Sequence, residues 1–131
     1  MKSQYYSIYL LMIIIGLSAC EGNTTHEFTI HNKSNYPINI NAQSYYPQSI
    51  DTSLASNQKI TLFVFDHLGG QSNPGLTNDY IDSLLIYNDL DTSSKDHTIQ
   101  SNWLIESEHL KKVPSQYYHS FTLEVQDADF Q

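Results

Sequence analysis

Tyr117-Tyr118-His119-Ser120-Phe121-Thr122-Leu123-Glu124-Val125 alternates along its whole length. Tyr117, His119, Phe121, Leu123 and Val125 fall on one face, and Tyr118, Ser120, Thr122 and Glu124 on the other. Successive side chains of a strand point to opposite sides, so this stretch reads as a half-buried β-strand. The same period recurs upstream. From His26 the pattern alternates: Phe28 and Ile30 oppose Glu27, Thr29 and His31, and then Tyr36, Ile38, Ile40 and Ala42 oppose Pro37, Asn39 and Asn41. The polar cluster Asn32-Lys33-Ser34-Asn35 between these two runs predicts a hairpin. Pro37 cannot donate to a ladder and belongs on an edge or at a strand's first residue.

Lys59 to Asp66 is apolar on both faces, which predicts a central strand covered on both sides. Tyr80 to Asn88 reads as a second interior strand, with its alternation disturbed near Asp82-Ser83. Ser44 to Asn57 reads as a loop with one short extended piece near Ile50. Leu68 to Asn78, with its Gly and Asn-Pro-Gly signals, is a turn-rich loop. His97-Thr98-Ile99 and Trp103-Leu104-Ile105 predict two short strands or one bent strand. Glu106 to Ser115 is polar and is assigned a helical turn. The acidic tail from Gln126 frays unless Phe130 packs back. Together these segments predict an all-β fold, an antiparallel β-sandwich of about six to seven strands, with a small β-barrel as the alternative. One cysteine cannot form an internal disulfide, so the core depends on apolar burial.

That cysteine closes the N-terminal segment. Lys2 is followed by an apolar run from Ile8 to Leu17 and then by Ser18-Ala19-Cys20. The run is about ten residues, half of the roughly 20 that span a bilayer, and it has the build of an export signal. Leu17-Ser18-Ala19-Cys20 resembles the lipobox of bacterial lipoproteins. The resemblance implies diacylglycerol transfer to the Cys20 sulfur, cleavage before Cys20 and acylation of the new amino group. The expected organisation is a signal peptide over 1–19, a lipidated tether over 20–25 and a β-sandwich over 26–131. Phe28 to Ser34, Tyr36 to Ile40, Asp82 to Ile86 and the Tyr-rich last strand make the chain similar in style to small lipoproteins of Bacteroidota. That similarity implies a lipid-anchored outer-membrane protein on the periplasmic face or the cell surface. It carries over no functional residues.

The chain has a net charge of −8 and no Arg. Phosphate contact needs clustered cations, so nucleic acid is excluded as a partner class. No G-x-S-x-G, S-x-x-K, H-E-x-x-H or phosphate-cradling loop occurs. Six histidines are scattered without metal-ligand spacing. Glu27 and His31 share a polar strand face and read as solvated side chains, and His119 reads as a satisfied core or rim histidine. No catalytic residue, metal site or cofactor is therefore expected. The strongest functional hint is aromatic: Tyr45-Tyr46 and Tyr117-Tyr118 each place one ring outside the core, with Trp103 as a further candidate. Such rings beside Asn and Asp hold sugars or anchor protein interfaces. The expected function is a non-enzymatic envelope lipoprotein binding a protein or glycan. The alternatives are an inhibitor or immunity-type protein whose acidic surface meets a basic cleft, and, ranked below both, a small hydrolase using scattered carboxylates.

Overall fold

Two sheets pack face to face in the computed structural model, which describes residues 21–130. Residues 1–20, with the expected signal peptide and Cys20, lie outside the described residues. The strands are β1 (Asn23–Asn32), β2 (Ile38–Ser44), β3 (Ser49–Leu54), β4 (Lys59–Leu68), β5 (Ile81–Tyr87), β6 (Trp103–Lys112) and β7 (Ser115–Val125). One sheet has the order β4-β1-β7-β6 and the other β3-β2-β5. Neither closes into a barrel, and the fold is an all-β sandwich. Among the described residues, no helix is long and apolar enough to cross a membrane.

The centre of the larger sheet is the alternation that the sequence displays most clearly. Thr24, His26, Phe28, Ile30 and Asn32 of β1 are all fully buried, as are His119, Phe121, Leu123 and Val125 of β7. Phe28 stacks on Phe121 with ring centroids 4.5 Å apart. Burying a side chain of this size contributes about 1.5–3 kcal/mol. Among the described residues every ladder is antiparallel except this central one: β1 and β7 run parallel, from Asn23 beside Gln116 to Asn32 beside Val125. A parallel pair needs a long crossover. Here nearly the whole intervening chain, including the second sheet, serves as that crossover.

Several expectations are corrected. Asn23 to Thr25 belong to β1 and not to a tether, and Thr24 is buried, donating its hydroxyl to the Gly69 carbonyl at 2.7 Å. β1 and β2 do not form a hairpin, because β4 and β7 already occupy both edges of β1. The polar cluster instead carries the chain between sheets. Asn32 Nδ2 donates to the carbonyls of Tyr36 (2.8 Å) and Leu54 (3.1 Å), while its Oδ1 accepts from the Ser34 amide and hydroxyl. β4 is an edge strand, not a central one. Phe28 pairs with Phe63 and Thr29 with Thr61, so Leu62 is an extra residue, a β-bulge. The bulge reverses the phase: Ile60 faces inward before it, and Phe63 and Phe65 after it. A single inward face thus reads in sequence as two apolar faces.

β5 is also an edge. Asp82 is unpaired between Ser83–Gln43 and Ile81–Ser44, which accounts for the disturbed alternation there. His97 to Ile99 form no strand and lead into a short 3₁₀ turn, Gln100–Asn102. Glu106 to Lys112 continue β6 and do not form a helical turn. This half of β6 is exposed throughout, so its polarity on both faces reflects a solvated edge strand. β3 contains the extended piece expected near Ile50, and Phe130 packs back against the core.

Candidate functional site

The parallel β1–β7 register defines two ends of the sandwich. Asn23, Leu68 and Gln116 lie at the end where the chain arrives from Cys20. Asn32 and Val125 lie at the opposite, distal end.

The expected aromatic platform divides among three places. Tyr45 and Tyr46 occupy the β2–β3 connection at the Cys20 end. There Ser44 N–H donates to the Gln48 carbonyl (3.0 Å) and Tyr45 N–H to the Tyr80 carbonyl (3.1 Å). Tyr45 is 61% exposed, whereas the Tyr46 ring leans on Phe65 at 5.0 Å. An open depression of about 280 Å³ runs beside Tyr46, walled by Gln43, Ser44, Gln48 and Ser49. Tyr117 lies at the same end, half-buried and stacked on His109 at 4.3 Å. Tyr118 points to the outer face of the larger sheet, where its hydroxyl donates to the Glu27 carboxylate. That bond, with one from Thr61, holds the Glu27 carboxyl below its usual range and pushes the Tyr118 hydroxyl up to about 12. Trp103 is a core residue and no platform: it is 5% exposed, lies edge-on to Phe28, and its Nε1 donates to the His97 carbonyl at 2.9 Å. Its indole N–H finds a backbone acceptor, which removes the cost of burying it. His31 lies beside Glu124 (3.7 Å), where Lys33 also binds the carboxylate at 2.6 Å.

A histidine cluster was missed from the sequence. His26 and His119 are register partners on the inward face, and His67 follows Phe65 on β4. The His26 ring centroid is 5.1 Å from His119, 5.4 Å from His67 and 4.8 Å from Tyr80. Each histidine has the parity of its core-facing neighbours, and that shared parity was the available signal. His119 Nε2 donates to the Gln71 carbonyl (2.8 Å) and its Nδ1 accepts from the Ser107 hydroxyl (2.7 Å), which suits the neutral ring. It is the satisfied core histidine the sequence suggested. His26 Nε2 lies 3.2 Å from the Tyr80 hydroxyl, and its Nδ1 has no partner at full hydrogen-bond geometry among the described residues. Burial, then the neighbouring His119 and His67, lower the His26 imidazole to about 4. His26 is thereby held neutral at ordinary pH. Among the described residues, no group of three or more His, Cys, Asp or Glu is placed to hold a metal ion. The cluster is a packed, polar part of the core.

The most conspicuous surface feature is at the distal end. Leu90 is 90% exposed, at the tip of a turn following β5. The turn is held by Asn88: its Oδ1 accepts from the amides of Leu90 (2.9 Å) and Asp91 (2.8 Å), and its N–H donates to the Asp91 carbonyl. An Asx turn of this kind fixes the backbone locally. Leu90 lines three adjoining depressions. One, about 280 Å³, includes Tyr36 and Pro37, another includes Asp127 and Phe130, and the third includes Leu85 and Tyr87. Asp89, Asp91 and Asp127 stand on the same rims. Asp127 also accepts from the Asn35 amide at 2.8 Å, tying the C-terminal turn to the β1–β2 connection.

Fold and surface together define a small two-sheet sandwich with a rigid apolar knob in an acidic setting at one end and its chain arrival at the other. Comparison with protein-family models, with curated proteins and with solved structures finds no match.

Proposed function

We propose that the protein is a lipid-anchored envelope lipoprotein with a non-enzymatic role, and that it binds a partner protein with a basic surface through its distal end. The observation that carries this reading is Leu90, an apolar side chain held out at 90% exposure beside Tyr36 and flanked by Asp89, Asp91 and Asp127. An exposed apolar anchor with a charged rim is the composition of a protein contact site. The net charge of −8 adds long-range attraction to a basic partner. The lipobox-like Leu17-Ser18-Ala19-Cys20 supports an outer-membrane location, on the periplasmic face or at the cell surface.

A photocrosslinking amino acid placed at position 90 in cells tests this, with position 64 on the outer sheet face as the control. A discrete protein adduct from 90, absent from 64 and lost on Tyr36→Ala, is expected. Equal labelling from both positions, or none from 90, overturns the proposal. The acidic rim also favours an inhibitor or immunity-type role, in which the partner is a toxin or lytic enzyme with a basic cleft. Identification of the adduct separates the two. A glycan ligand is the competing reading and rests on the polar depression beside Tyr46.

A further inference from the structure

The end of the sandwich nearest Cys20 carries its own apolar rim, and the chain leaves the fold between the residues that form it. Gly22 is packed without room for a side chain: a Cβ there would lie 1.7 Å from the Ser115 carbonyl oxygen. Its own carbonyl accepts from the Gly69 amide at 2.7 Å. Gly70 presses on Ser115 in the same way. Gly22 is therefore clamped between the end of β4 and the start of β7. At about 3.5 Å per residue, the two residues back to Cys20 reach no more than about 7 Å.

On either side of this clamp stand two strongly exposed apolar residues. Leu68, 79% exposed, pairs with Asn23. Val113, 76% exposed, sits in the β6–β7 turn two residues before Ser115. Tyr45 projects from the β2–β3 connection at the same end, and Lys111 and Lys112 lead into the turn. Glu21 is the one acid between Cys20 and the clamp. Leu, Val, Tyr and Lys at one rim match what settles at a bilayer interface, with apolar side chains below and Tyr and Lys at head-group level.

We propose that this rim, with Leu68 and Val113 flanking the chain exit, docks directly on the lipid bilayer that holds the Cys20 lipids. The inference rests on the proposed lipidation of Cys20. A tether this short holds the rim against the head groups, so the sandwich stands upright with Leu90 farthest from the membrane. Lipidation thus supplies the attachment, while Leu68 and Val113 fix the orientation.

The test uses the lipidated full-length protein in phosphatidylethanolamine–phosphatidylglycerol vesicles with brominated acyl chains. Leu68→Cys, Val113→Cys and Leu90→Cys are made singly and labelled with an environment-sensitive fluorophore. The acylated Cys20 sulfur is a thioether and does not react. Probes at 68 and 113 are expected to be blue-shifted and quenched roughly twofold or more beyond the probe at 90, since docked apolar residues lie about 5–10 Å into the interface. Acylated protein whose three probes are equally wet and unquenched overturns the docking and leaves the lipid anchor intact. Probes at 68 and 113 that are dry yet unquenched show a protein covering the rim, which also overturns it. Mass spectrometry showing Cys20 without lipid removes the anchor and the docking together.

Discussion

Acid should weaken this fold well before its carboxylates titrate, and His26 should be the reason. The imidazole is fully buried and lowered from an ordinary 6.5 to about 4 by burial and by His119 and His67. In the unfolded chain it takes a proton near 6.5, while in the folded chain it resists until about 4. The unfolded state therefore binds more protons between these values, and stability present above pH 6.5 is lost as pH falls toward 4. At 1.36 kcal/mol per unit, the full shift corresponds to at most about 3 kcal/mol, of which about 2 kcal/mol is lost between pH 7 and pH 5. For a domain of this size that is roughly 8 °C in Tm. Urea denaturation of residues 21–131 at pH 7, 6 and 5, beside His26→Phe, measures it. Phe suits the site, because Phe121 and Tyr80 already pack on the His26 ring. The variant should be less stable at pH 7, since the Tyr80 hydroxyl loses His26 Nε2, but flatter with pH. Parallel pH dependence in the two proteins over pH 7 to 5 would refute the assignment to His26.

Other perturbations probe other parts of the fold. Asn32→Ala removes the side-chain donor to the Leu54 carbonyl, leaves the Tyr36 carbonyl with the Ser34 hydroxyl alone, and takes the acceptor from the Ser34 amide; it should cost about 2–4 kcal/mol in chemical denaturation, well above the effect of a surface Asn. Gly22→Ala cannot be accommodated against the Ser115 carbonyl and should free the first residues of β1, read as lost amide-exchange protection at Asn23 and Thr24 with the distal end unchanged. Tyr118→Phe removes the main bond lowering the Glu27 carboxyl, so an NMR titration of Glu27 should move upward toward the ordinary carboxylate range.

β1 and β7 were legible because one face of each is buried and the other is not, so period two survives in their residues. The errors have local physical causes. The bulge at Leu62 switches the phase of β4, and a run with one buried face mimics a run with two. Glu106 to Lys112 lack any pattern because both faces of that half-strand are wet. Asn32 to Asn35 have the composition of a hairpin turn, but composition cannot reveal that β1 has no free edge. The burial of Trp103 is not legible in the sequence, because the acceptor for its indole N–H, the His97 carbonyl, is set by tertiary folding. Of the aromatic platform, Tyr45 and Tyr46 do present a surface, while Leu90 has no sequence signature, since a lone Leu in a polar turn is unremarkable until its exposure is known.

The parallel union of the first and last strands has a kinetic meaning. Asn23 meets Gln116 and Asn32 meets Val125, so one side of β1 stays bare until the final strand has been made. The larger sheet cannot be completed before β7, although the smaller one, β3-β2-β5, needs nothing beyond Tyr87. Contacts so distant in sequence slow folding, because the loop must be closed before any of them forms. The β3-β2-β5 sheet and the β1–β4 ladder can therefore pair first, and the arrival of β7 is what joins β6 to them and locks the larger sheet.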